Sequence, residues 1–354
     1  MKKTFPDVED VLTRAVRGGA FPGCVAAIGT ATERPWVRAF GKLGEGLGSV
    51  AADTLYDVAS LTKVLATTVT AMTLHRDGLL DLGQKMGELL ADFAETPMGK
   101  SGATVEHALA HCAGWSDKSP LYRRHSDYRS LVAAIASQPL AYAPAMRSSY
   151  SDFGMILLGE GLARLGDRPF ATLAWTRVFQ PLGMRQTFFR PAETERHRIA
   201  PTEVDRHFRH RLIHGEGHDE HAFVMGGVAG HAGVFTTAAD VARLAAEMLR
   251  ARAGSSEFMS KAVADLFTTR RGIVAGSTRA LGWDTPSEQG SSAGDLLSRR
   301  SFGHTGFTGT SVWCDPDRGI YAVLLSNRVH PSRENIKIRA VRREFHDAVA
   351  RATS

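Results

Sequence analysis

Ser60-Leu61-Thr62-Lys63 is the single S-x-x-K in the chain, and it opens a run of apolar residues (Val64, Leu65, Val69, Met72) spaced for a helix. An i,i+3 spacing puts the serine hydroxyl and the lysine amine on one helix face, a turn apart. A serine at a helix start also lies near free backbone N–H groups and the positive end of the helix dipole. Those are the conditions for activating a hydroxyl and for holding a developing oxyanion. Taken alone the tetrapeptide reads as readily as a helix cap and a surface lysine. Two further polar triplets change that balance. Tyr150-Ser151-Asp152 stands at the head of the apolar run Phe153–Leu165, and His304-Thr305-Gly306 precedes a strand-rich segment. A phenol, a carboxylate and an imidazole are groups that take and return protons.

The elements that must position these groups follow from periodicity and turn residues. An amphipathic helix is expected over 7–18, then strands over 23–29 and 36–40 that make an antiparallel hairpin. Helices follow over 62–74, 107–113, 130–136 and 153–165, jointed at Gly114, Pro144 and Gly166. A strand at 233–236 leads into a helix over 239–250. A hairpin joins 310–314 to 320–326 through Asp315-Pro316-Asp317-Arg318-Gly319, and a last helix covers 333–351. Strands at both ends around a helical middle predict one antiparallel sheet built from both termini. The fold class is α/β (α+β) over residues 8–350, with the sheet lobe at 8–58 and 225–350 and an inserted all-helical lobe at 59–224. The Gly- and Ser-rich stretch 270–300 is expected to be a mobile loop.

Composition bounds the remaining possibilities. The chain has 354 residues, 43% hydrophobic and 23% charged, which is ordinary globular usage and excludes disorder. The formal net charge of +6 comes from scattered Lys and Arg without interleaved aromatics, so nucleic acid is not an expected partner. No uninterrupted apolar run reaches membrane length, and the start Met1–Asp7 has no apolar core of a signal peptide. A cytoplasmic location is therefore expected. Cys24, Cys112 and Cys314 are too far apart for a zinc knuckle and too few for a disulfide framework. Seven of the 14 histidines fall between His197 and His231, but His218-Asp219-Glu220-His221 is not H-E-x-x-H. A solvated loop is expected there, with no metal and no organic cofactor.

The three motifs together resemble those of the serine hydrolases of the β-lactamase and penicillin-binding-protein superfamily, above all the class C β-lactamases and their esterase and D-aminopeptidase relatives. Ala108–Gly114, Gln180-Pro181-Leu182-Gly183-Met184 and Gly227–Gly233 resemble further segments of that family. The resemblance covers roughly residues 8–350 and implies a β-lactamase/transpeptidase-like fold. It makes Ser60 the nucleophile of an acyl-enzyme, with Lys63 and Tyr150 sharing general-base work and Tyr150 as a phenolate-like acceptor. The backbone N–H groups of Ser60 and Phe307 would form the oxyanion hole, and His304, Thr305 and Gly306 would line the cleft on an edge strand.

Two departures concern charge. Where the family usually has a lysine in the third motif this chain has His304, largely neutral at pH 7. Where it usually has asparagine in the second motif this chain has Asp152, which opposes anionic substrates and favours the charged form of Lys63. Both fit an esterase acting on uncharged esters or amides, with little turnover of β-lactams. The alternatives are a β-lactamase or D,D-peptidase/D-aminopeptidase, and a catalytically inactive binding protein of the same fold. The substrate is a small ester, amide or β-lactam. The sequence has no code for oligomeric state.

Overall fold

The computed structural model describes residues 4–116 and 119–353. Among the described residues ten strands are formed, in chain order: β1 Gly23–Thr30, β2 Trp36–Gly41, β3 Tyr56–Asp57, β4 Phe188–Phe189, β5 Val204–Asp205, β6 Arg211–Leu212, β7 Val234–Thr236, β8 Phe302–Gly306, β9 Thr310–Asp315 and β10 Ile320–Ser326. Five of them make the main sheet in the order β2-β1-β10-β9-β8. All its pairings are antiparallel, with Ala26 opposite Leu324 at the junction of the two chain ends and His304 opposite Val312 at the edge.

Alternate residues of the central strands serve two cores, because successive side chains point to opposite faces. Cys24, Ala26, Trp313 and Leu324 pack under the N-terminal helix Pro6–Arg17 and the C-terminal helix Ile338–Ala352, together with Val8, Leu12, Phe345 and Val349. Val25, Ala27, Val312 and Val323 face the larger core, which contains Val241, Leu244 and Ala245 of the helix Ala238–Ala253 and most of the helical lobe. Trp313 thus lies buried on the sheet face away from Ser60, which belongs to the seam with the other core.

The C-terminal helix begins at Ile338 rather than 333, and the helix expected over 107–113 spans Val105–Leu109. It stops because His111 takes a left-handed φ of 53°. The inserted lobe is not all-helical: β4, β5 and β6 fall inside 59–224. The 270–300 segment contains no long element but is pinned to the body, with Trp283 buried and Asp284 bridged to Gly303 of β8.

Candidate active site

Ser60 is delivered by a small sheet at the seam of the lobes. β3 pairs with β7, which also pairs with β4, and Ser60 follows three residues after Asp57. Between them Ala59 has φ 47°, a left-handed conformation that costs a non-glycine residue roughly 1–2 kcal/mol. The helix that follows opens with π-helical turns at Lys63–Thr68 before becoming α-helical at Val69–Arg76. Irregular turns of this kind concentrate at functional sites.

Lys63 is completely buried, and its ammonium finds three acceptors: Ser60 Oγ at 3.0 Å, the His231 carbonyl at 3.0 Å and Asp152 Oδ1 at 2.6 Å. Three donors meet three acceptors, which is what a charged ammonium needs away from water. Burial alone would lower the Lys63 pKa; the Asp152 charge and the Tyr150 hydroxyl overcome it and hold the amine above its ordinary value. Tyr150 projects from just before the helix Asp152–Leu165, its ring 4.9 Å from Lys63 Nζ, and its hydroxyl interacts with both Lys63 and Ser60. The side chain is 37% exposed, but desolvation of its hydroxyl raises the Tyr150 pKa and Lys63 only partly offsets this, so the resting group is a phenol. That differs from the phenolate-like acceptor the resemblance implies: the positive charge that would hold a phenolate is already neutralised by Asp152.

His304, on edge strand β8, is buried beside Tyr150 with the ring centroids 6.0 Å apart. Its Nδ1 lies 2.8 Å from the Thr305 carbonyl, which fixes the proton on Nδ1. Burial, then the charges of Lys63 and Arg279, push His304 well below its ordinary value, so it is neutral. Thr305 and Gly306 continue the strand to the turn that presents Phe307. Among the described residues neither the Ser60 nor the Phe307 backbone N–H has a hydrogen-bond partner. A pair of free N–H groups is what an oxyanion hole requires.

The fold therefore gathers Ser60, Lys63, Tyr150, Asp152 and His304 at one seam, with Phe307 beside it. Sequence reasoning missed three neighbours. The His111 ring lies against Tyr150, tilted by 33° with centroids 4.6 Å apart, and accepts from the Ser151 N–H, and burial drives its pKa far down. The His231 carbonyl ligates Lys63, held by Asp219, whose carboxylate lies 2.7 Å from His231 Nε2. Arg279 places its guanidinium 5.3 Å from the Tyr150 ring, with Asp284 at 3.5 Å. His111 stood in a recognisable segment; Arg279 is in a loop and gave no signal. The expected solvated histidine loop needs correction as well. His218 and His231 are buried and paired with Glu203 and Asp219, because the loop folds back against the nucleophile strand. No group of three His, Cys, Asp or Glu side chains suited to a metal occurs among the described residues. No described helix is long and apolar enough to cross a membrane.

Comparison with known proteins identifies the family. The family model described as Beta-lactamase matches residues 8–346. A protein of Escherichia coli O157:H7 named "Putative D-alanyl-D-alanine carboxypeptidase" is 32% identical over 305 residues, spanning 78% of this chain and 70% of its own. The solved structure of EstCE1, described as a hydrolase with promiscuous acyltransferase activity, superposes with a TM-score of 0.77 at 20% identity and 98% coverage of both chains. D-alanine carboxypeptidase AmpC from Burkholderia cenocepacia gives a TM-score of 0.72 at 22% identity, covering 96% of this chain and 99% of its own. The fold is β-lactamase/transpeptidase-like, and with the family model spanning nearly its whole length the chain is a serine hydrolase that belongs to the beta-lactamase family.

Proposed function

We propose that this hydrolase opens small uncharged esters or amides through an acyl-enzyme on Ser60, with slow turnover of β-lactams. The observation that carries this reading is the Lys63–Asp152 pair at 2.6 Å beside a neutral His304. The lysine charge is spent inside the protein, and the third motif offers no cation to a substrate carboxylate. Lys63 donates to Ser60 Oγ, and the Tyr150 hydroxyl interacts with Ser60, so it is the group placed to take the serine proton. In acylation Oγ attacks the carbonyl carbon, its proton passes to the Tyr150 oxygen, and Tyr150 gives its own proton to the departing alcohol or amine. The phenol stays neutral throughout, and water repeats the sequence in reverse to release the acid.

A second reading is favoured by Arg279. Its guanidinium stands beside Tyr150 with only a loose partner in Asp284, at 3.5 Å, and is a cation of the kind a terminal carboxylate needs. The name of the Escherichia coli relative points the same way. Steady-state rates on p-nitrophenyl acetate, nitrocefin and a D-alanyl-D-alanine peptide separate the two. Rapid ester turnover with the other two nearly untouched supports the esterase reading. Rapid release of D-alanine overturns it in favour of a carboxypeptidase, and rapid nitrocefin hydrolysis in favour of a β-lactamase.

A further inference from the structure

We infer that Asp57 is a positioning residue that holds both halves of the oxyanion hole, one carboxylate oxygen for each. The inference rests on the acyl-enzyme reading above. Asp57 belongs to none of the three motifs and is buried at the end of β3.

One oxygen, Oδ1, accepts the Ala59 N–H at 2.8 Å. Ala59 is the left-handed residue of the elbow, and such a conformation persists only where its surroundings over-determine it. Loss of that acceptor frees the Ala59–Ser60 peptide to rotate, and the Ser60 N–H is the first oxyanion donor. The other oxygen, Oδ2, accepts the His218 N–H at 2.6 Å. The His218 ring is stacked on the Phe307 ring, with centroids 5.5 Å apart and planes at 30°, and is fixed from behind by Glu203 at 2.9 Å. The Phe307 carbonyl in turn accepts from Arg328 Nε at 2.7 Å. The stack on its ring and the hydrogen bond to its carbonyl fix Phe307 itself, and with it the direction of the N–H that is the second donor.

The backbone reinforces the same link. The Asp57 carbonyl accepts from Thr308 Oγ1 at 2.7 Å and the Val58 carbonyl from Thr310 Oγ1 at 3.0 Å. Gly306 approaches so closely that a Cβ there would lie 2.3 Å from the Val58 oxygen. The β8–β9 turn is thus clamped to the nucleophile elbow through Asp57 and its neighbour. Both partners of the carboxylate are backbone donors, so the site needs two acceptors. An asparagine offers one, and turns an N–H₂ group toward the other N–H.

The test compares wild type with Asp57→Asn, reading kcat and KM on p-nitrophenyl acetate and the carbonyl stretch of the acyl-enzyme by difference infrared spectroscopy. The expected result is a kcat lower by roughly 10- to 1,000-fold, KM within about twofold, and an acyl carbonyl band moved to higher wavenumber as polarisation weakens. His218→Ala keeps Asp57 and removes the stack under Phe307; it is expected to move the band in the same direction, and it carries the test if Asp57→Asn does not fold. A folded Asp57→Asn with wild-type kcat, or with reduced kcat and an unmoved band, overturns the inference. A wild type that forms no Ser60 adduct overturns the acyl-enzyme reading and this inference with it, and does so before any variant is made.

Discussion

Replacing Asp152 by asparagine removes one charge from a pair whose other member has no contact with water. Asp152 Oδ1 lies 2.6 Å from Lys63 Nζ, with the lysine side chain 0% and the aspartate 28% exposed. Breaking a fully buried pair by deleting one partner costs roughly 3–5 kcal/mol. The partial exposure of Asp152 puts this pair toward the lower end, about 2–3 kcal/mol after solvent screening. Asp152 is also the first residue of the helix Asp152–Leu165, where a negative charge adds about 0.3–1 kcal/mol. A loss of about 3 kcal/mol corresponds to a fall in Tm of several degrees, on the order of 5 °C for a chain of this length. The sign against pH follows from the raised Lys63 value. The contribution is fully present below the unfolded lysine pKa of about 10.4 and is lost only as pH rises through the higher folded value, so it is intact at pH 7. In Asp152→Asn the dominant remaining influence on Lys63 is burial, which lowers its pKa. The variant therefore gains a lysine titration below the wild-type one, displaced toward lower pH by burial. Scanning calorimetry at pH 7 and a pH–rate profile on p-nitrophenyl acetate read both effects. An unchanged Tm together with a profile superimposable on wild type would refute the argument that Asp152 keeps Lys63 charged.

Three other outcomes follow. Tyr150→Phe removes the phenol that relays the serine proton and is expected to lower kcat by roughly 100- to 10,000-fold with little change in KM; steady-state kinetics check it. Arg279→Ala raises KM for a carboxylate-bearing ester and leaves p-nitrophenyl acetate within about twofold if the arginine meets substrate anions; equal effects on both would remove that role. The third concerns acid. His111, His304 and His346 are all held below their ordinary values, by burial first and nearby cations second, His346 at about 3. The unfolded chain then binds more protons than the folded one below about pH 6.5, and stability falls as pH drops from there. Tm measured from pH 8 to pH 5 should decline over the lower half of that range; a flat curve would mean that these rings are not buried neutral.

Much of this arrangement was legible before any coordinates. Residues 23–29 showed an apolar run between glycines, 36–40 an alternating one, and the hairpin its Asp315–Gly319 turn residues, and the sheet joins them as expected. Ser60 and Lys63 were visible because a helix converts their spacing into proximity. Asp152 was visible as a departure from a motif, and its effect on Lys63 followed from charge alone. What stayed hidden depends on contacts between distant segments. Nothing local in Arg279 announces that its loop folds over Tyr150, and nothing local in Asp57 announces that its second oxygen meets His218, 161 residues away. The histidine-rich loop misled because polar composition suggests solvent, whereas His218 and His231 are buried through pairing with carboxylates.

Acylation of Ser60 with the help of Lys63 and Tyr150 is the step on which the proposed chemistry rests. Intact-mass measurement after rapid mixing with p-nitrophenyl acetate, followed by peptide mapping, tests it most directly. The expected result is a transient +42 Da adduct, one acetyl group in place of a hydrogen, on the peptide containing Ser60 and none in Ser60→Ala. An adduct on another residue, or turnover that survives Ser60→Ala, would contradict it.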